Sequence, residues 1–277
     1  MTASASTADS GGRRRFIAPP RDAVQAACFA QPIYAGLRGF QDLMVAPGWP
    51  TVAALDARLA LPDKHLVEQD AALLADGLHY ETRIAGRGRI ATRADNWHDL
   101  FNALVWARYP SIKQALNRQQ CRHIAAKAPG QRNRAQAALT QFDETGVIVR
   151  VRDPALLGAW DQHDWQALFV EGAGHWRTGG IAVAAVIGHA LMEQALLPER
   201  LLVGKCVVVQ GDDDAAAIAV AARAITGGTL LNDPLELRPL PLAGIPGWHV
   251  HQHAGFYAQV EYFRPLRAGR AYPAALG

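Results

Sequence analysis

The sequence has no CxxC pair, and its three cysteines, Cys28, Cys121 and Cys206, are odd in number and far apart. That excludes a disulfide scaffold and a thiolate zinc finger, and it reads as reduced thiols in a cytosolic protein. There is no GxGxxG, no P-loop, no GxSxG and no HExxH. Nothing therefore points to dinucleotide binding, P-loop phosphate binding, serine-esterase chemistry or zincin-type hydrolysis. Long apolar runs are absent too. The longest, around 181–191, is broken by Gly188 and His189 and is too short to span a bilayer. After the basic residues of MTASASTADSGGRRRF come prolines and Asp22 rather than the apolar stretch of a signal peptide, and Asp9 and Asp22 argue against a transit peptide. A cytoplasmic protein with no membrane partner is the expectation.

Acidic residues are missing from one long stretch: none occurs between Leu100 and Phe142. Residues 82–142 hold eleven Arg or Lys against Asp95 and Asp99, so a net charge of +3 leaves the remainder of the chain at −6. A run of this kind serves as a solvated face or as a surface for phosphates, nucleic acid included.

What is present describes a globular chain. Half of the 277 residues are hydrophobic, and a core of that size folds without disulfides or metal. Residues 1–21, polar, glycine-containing and then basic, are expected to be a disordered tail ahead of a single domain, 22–277. Helical patterning with proline interruptions runs from Ala23 to about Ala75, with Thr51 placed to cap TVAALDARLA. In HYETRIAGRGRIATR, Tyr80, Thr82 and Ile84 alternate with charged residues, and Gly86-Arg-Gly88 resembles a turn. A hairpin pairing 78–84 with 89–93 is predicted.

The helix DNWHDLFNALVWARYP follows, capped by Asp95 or Asn96 and ended by Pro110. Trp97, Leu100, Phe101 and Leu104 form its buried arc, while His98 and Asn102, one turn apart, lie at the edge. A second helix is expected from Ile112 to about Ala128. LTQFDETGVIVRV reads as strand, turn at Asp143–Gly146, strand. Asp153-Pro154 opens a helix to about Trp160, IAVAAVIGHALMEQALLP reads as a buried helix, and LLVGKCVVVQ as a buried strand before an alanine-rich helix, 214–225. The fold class is α+β (mixed α/β): one domain with a small central sheet, a β-hairpin and many helices.

TRADNWHDLFNALVWARYP, LTQFDETGV, GHALMEQALLP and PLPLAGIPGW with the FY and FRP that follow it resemble a bacterial family known as a domain of unknown function, number three thousand and twenty-five. The resemblance covers about residues 35–267. It implies a cytosolic bacterial protein and carries over no catalytic residue.

Candidate chemistry comes from the residues themselves. His98, Asp99 and Asn102 are candidates for a catalytic site, since imidazole and carboxylate donate lone pairs or protons near neutral pH, although Asp99 also suits a helix N-terminus by charge alone. His189 and Glu193, four apart, share a helix face, as metal-binding pairs or as a buried hydrogen bond. Asp143 and Glu144 are expected in a turn, where they complete a ligand shell or merely bond the backbone. Arg89, Arg93 and Arg108 are candidates to meet an anion.

Three further patterns are weaker. His249, His251 and His253 would share a strand face at about 7 Å spacing, as a metal site or a loose tract. His79 in a strand followed by His98 or Asn102 in a helix is similar in order to the ββα-metal nucleases. The glycines at 172–180, around His175 and Trp176, read as a mobile loop near a cleft. The leading expectation is a metal-assisted hydrolase (Zn, Mn or Fe) acting on a phosphate-bearing or other anionic substrate. The alternative is a non-catalytic nucleic-acid-binding protein using residues 82–142.

Overall fold

Caps and glycines decide where most elements begin and end in the computed structural model, which describes residues 16–126 and 132–277. After short 3-10 turns and helix α1 (Gln41–Val45), the Thr51 hydroxyl accepts the Ala54 amide and starts α2 (Val52–Leu59). Strand β1 (His65–Glu68) follows, then α3 (Ala71–Leu74), α4 (Tyr80–Arg87) and β2 (Arg89–Thr92). β1 and β2 are parallel, with His65 opposite Arg89, so the predicted hairpin does not form. Tyr80 and Ile84 are also spaced i, i+4, which suits a helix as well as a strand. Gly88, with φ of 64°, is not a hairpin turn; it ends α4 in the left-handed conformation. Arg83 is buried on α4 because Asp76 grips it with two hydrogen bonds, of 2.6 and 3.0 Å.

Helix α5 (Trp97–Arg108) starts where expected, with the Asn96 side chain accepting the Asp99 amide, and α6 (Pro110–Ala125) begins at Pro110. α7 (Arg134–Thr145) corrects a second expectation: LTQFDET is helical, not strand and turn. Its start is a capping box between Asn133 and Gln136, and Leu139 and Phe142 bury one face. Asp143 and Glu144 therefore ride in a last helical turn.

The central sheet has the order β4-β3-β5-β6, built from β3 (Gly146–Val151), β4 (Ile181–Val186), β5 (Val203–Gln210) and β6 (Arg238–Pro241). β3 and β5 are parallel; β4 and β6 are antiparallel to their neighbours. Between β3 and β4 lie α8 (Leu157–Asp161), entered through a 3-10 turn at Pro154, and α9 (Ala173–Arg177). The expected mobile loop at 172–180 is largely this short helix, held by the Trp176 indole bonding the Leu168 carbonyl. α10 (His189–Gln194) follows β4, so the single helix expected over IAVAAVIGHALMEQALLP is a strand, Gly188, then a helix. α11 (Asp214–Gly227) and α12 (Ala254–Tyr257) complete the order. The outermost strand, β6, carries Pro239 and Pro241, and the Pro239 carbonyl accepts the Trp160 indole N–H at 2.7 Å.

One continuous core runs through these layers, and Trp97, Phe101, Leu104 and Trp106 of α5 lie inside it. Residues 1–15, most of the expected tail, are outside the described residues. Pro19 and Arg21, at the end of that tail, already pack into the body. The Trp97 indole donates to the Pro19 carbonyl, and the buried Arg21 guanidinium lies 4.5 Å from the Trp49 ring centre and 4.9 Å from that of Trp97. Among the described residues, no helix is long and apolar enough to cross a membrane.

Candidate metal centre

The connection between α7 and α10 creates the site. α7 runs straight into β3, and β4, the antiparallel neighbour of β3, runs straight into α10. The end of α7 and the start of α10 therefore meet at one edge of the sheet. The amides of Ile187 and Gly188 both donate to the Gly146 carbonyl, at 2.9 and 3.0 Å, and fix the junction. A Cβ at Gly188 would lie 2.6 Å from Thr145 Cα and 2.8 Å from the Glu144 carbonyl, so only glycine permits this approach. Gly188→Ala should cost about 1–3 kcal/mol as an overpacked backbone contact, and it should separate His189 from Glu144. Denaturant unfolding and metal titration of the variant check both effects.

Against this junction α5 presents His98. Its Nε2 lies 3.1 Å from His189 Nε2 and 4.0 Å from Glu144 Oε2, and His189 Nε2 lies 3.7 Å from the same carboxylate oxygen. All three donor atoms fall within 4.8 Å of one another. A tetrahedral ion with ligands near 2.05 Å needs donors about 3.3 Å apart, so a small shift of the half-exposed Glu144 closes the set. Among the described residues this is the one group of three His, Cys, Asp or Glu side chains so arranged.

The electrostatics agree. His189 is 3% exposed, and burial drives its pKa down to about 3, so its imidazole is neutral. Burial opposes protonation of His98, but its hydrogen bond to Glu193 and the nearby Glu144 and Glu193 charges outweigh that and raise its pKa. Burial raises the Glu144 pKa, with His98 pulling the other way and Asp143 reinforcing the rise. Two imidazole nitrogens and a carboxylate thus meet at one point.

Glu193, expected as a ligand, stands behind His98 instead: its Oε2 accepts from Nδ1 at 3.0 Å. With His98 neutral, that bond keeps the proton on Nδ1 and leaves the Nε2 lone pair facing His189. Glu193→Gln should accordingly weaken metal binding about 10–100-fold while leaving the ligands in place; competition with a chromogenic chelator measures it.

His98 and His189 open onto a cavity of about 770 Å³, whose wall also includes Asn102, Asp99, Asp143 and Glu144. The other expected residues divide. Asp99 has both carboxylate oxygens engaged by Arg93, through bonds of 2.8 and 3.0 Å to the guanidinium and a further one from the Arg93 amide. Arg93 reaches the cavity already paired. Arg89 is exposed and outside it, and Arg108 bonds the Gly36 carbonyl beside a different groove, so neither meets a bound anion there. Asp143 is held by Lys113 at 2.5 Å; burial works against its ionisation, but Lys113 and the histidines prevail and lower its pKa.

Sequence reasoning missed Lys113, hidden in the basic run, and Glu81, whose carboxyl faces the cavity with its pKa raised by burial. It also missed the buried Trp106 indole N–H and Asn102 Oδ1, which have no partner among the described residues. His79 caps α4 at the cavity edge, so the ββα-metal order fails with the hairpin. His249, His251 and His253 do not form an extended face: His249 stacks on Phe256 and accepts the His251 amide. The basic block is also partly neutralised. Arg83 and Arg87 meet Asp76, Arg93 meets Asp99, Lys113 meets Asp143, and Arg134 meets Asp233.

Fold and site together define a mixed α/β protein with a two-histidine, one-carboxylate cluster at the wall of a deep cleft. The family described as "Protein of unknown function (DUF3025)" matches residues 64–267, and the chain belongs to it. No curated protein and no solved structure matches the chain.

Proposed function

We propose that the chain is a metal-dependent hydrolase, with His98, His189 and Glu144 as ligands for Zn, Mn or Fe. The observation that carries this reading is the convergence of the three donor atoms at the wall of the 770 Å³ cavity. Three protein ligands with a side open to a pocket is the pattern of catalytic rather than structural zinc. A divalent ion held there supplies the charge that polarises a substrate oxygen and makes water acidic near neutral pH. Glu193 orients His98. Asp143, whose ionisation Lys113 favours, is placed to accept a proton, and Glu81, whose pKa burial raises, to donate one.

The substrate reading narrows from phosphate to a small polar molecule with an amide-like group. A phosphate would find Arg93 paired, Lys113 paired, and only Arg132 on the wall without a carboxylate partner among the described residues. Asn102 Oδ1 and Trp106 Nε1, on two wall residues one turn apart on α5, are instead an acceptor and a donor without a partner among the described residues. An amide satisfies both, and buried polar groups favour the ligand that pairs them.

Elemental analysis of protein purified without a histidine tag, followed by hydrolysis assays on amide and phosphoester panels, tests the reading. One equivalent of metal and cleavage of amides over phosphoesters are expected. Protein that binds none of the three ions at millimolar concentration overturns it.

A further inference from the structure

A second cavity, of about 610 Å³, shares no lining residue with the first. β5 contributes Lys205 to it, and the segment after α12 contributes Arg264, Arg267 and Arg270. Glu261 is the one carboxylate on its wall, and among the described residues none of these four cations has a carboxylate within 4.0 Å. The contrast with neighbouring Arg238 is informative. That side chain is buried and held by an ion pair to Asp161 at 2.6 Å and by the Pro273 carbonyl, whereas Arg264 and Arg270, among the described residues, bond only backbone carbonyls, of Glu261 and of Leu235 and Leu237.

We propose that this cavity binds a small organic polyanion, a phosphate-bearing molecule with an apolar or aromatic body. Like charges gathered in one concave site repel, and the concentration of field favours an anion. Lys205 is only partly exposed. Burial lowers its pKa, Cys206 opposes the change, and Arg270 and Arg267 add to it. A bound anion reverses that disadvantage. Guanidinium groups match phosphate oxygens in pairs, while a lysine on a strand adds a fixed point charge.

The walls suit the body of such a ligand. Trp165, Leu237, Tyr262 and the rings of Pro239 and Pro241 line the cavity. Tyr272 is already stacked under the Arg270 guanidinium, 4.3 Å from ring centre to Cζ. The volume lies within the range of small-molecule sites, about 300–1,000 Å³. A concave, apolar-walled pocket favours a small ligand over a nucleic-acid strand, which needs a continuous groove.

Titration calorimetry and thermal unfolding with inorganic pyrophosphate and with phenylphosphonate test the site; the phenylphosphonate C–P bond resists hydrolysis at the first cavity. Both probes are expected to bind one per chain and to raise Tm, phenylphosphonate more than inorganic phosphate used as a control. The exposed Arg267→Ala variant should bind about tenfold or more weakly. Lys205→Met should lose binding yet unfold at a higher temperature than the parent without ligand, because a poorly solvated cation is gone. Glu144→Gln should bind both probes unchanged. The proposal is overturned if neither probe binds, if Arg267→Ala and Lys205→Met bind as well as the parent, or if Glu144→Gln abolishes binding. It is equally overturned if a single-stranded RNA oligomer binds more tightly than both probes and depends on the same two residues.

Discussion

His189→Ala is expected to abolish stoichiometric metal binding and with it at least a thousandfold of any hydrolytic rate, the order of loss that follows removal of a dominant charge-stabilising group. The physical reason is specific to this residue. His98 has Glu193 behind it and Glu144 is half-exposed, but His189 is sealed at the start of α10, neutral by burial, with its Nε2 3.1 Å from that of His98. Without it, two donors remain on two helices, too few to close a catalytic shell. His189→Gln serves as the control, since it keeps a polar side chain at the junction. Elemental analysis and activity on the same preparations read the result. A His189→Ala protein that retains one equivalent of metal would remove His189 from the ligand set.

Phe101→Ala should destabilise the protein by about 3–5 kcal/mol, as a large-to-small truncation in a packed core. Phe101 is fully buried and stacks on two rings, Tyr34 at 5.6 Å and Trp97 at 5.7 Å. Tyr34 in turn donates its hydroxyl proton to the Met192 carbonyl of α10. The cavity left by Phe101 therefore opens beneath both helices that carry the histidines, and metal affinity should fall along with stability. Asn102→Ala, one residue on, loses a hydrogen bond to Tyr80 and should cost only about 1 kcal/mol. It also removes the free acceptor on the cavity wall, so activity should fall far more than stability. Chemical denaturation of the pair, with activity at a fixed metal concentration, separates scaffold from site.

α5 was the most legible part of the chain. An asparagine cap, a buried arc at helical spacing and a terminating proline all act within a few residues, and local sequence carries such signals. The same locality explains the errors. Tyr80-Glu-Thr-Arg-Ile satisfies both a two-residue and a four-residue period, and what decided for helix was Asp76, outside the alternating run, gripping Arg83. In LTQFDET the deciding signal, Asn133 with Gln136, lay upstream of the motif. Gly188 reads in sequence as a flaw in an apolar helix; in space it is where two backbones touch. The pairing of His98 with His189, 91 positions apart, and the placing of Glu193 behind His98 depend on how the sheet orders its strands. No period in the sequence reports that order.

The prolines of β6 bear on how the molecule behaves in a crowded solution. An edge strand ordinarily offers a ladder of donors and acceptors to any passing chain, and edge-to-edge pairing of that kind begins many aggregates. In the register Pro239 stands opposite Lys205 and Pro241 opposite Val203, and neither has an amide hydrogen to give to a strand on the far side. The Pro239 carbonyl is already occupied by the Trp160 indole. A foreign strand arriving at this side meets an edge with no proton to share and one oxygen already taken. Growth of the sheet into an intermolecular stack is closed off there by covalent structure, and replacing Pro239 or Pro241 with a β-branched residue would reopen it.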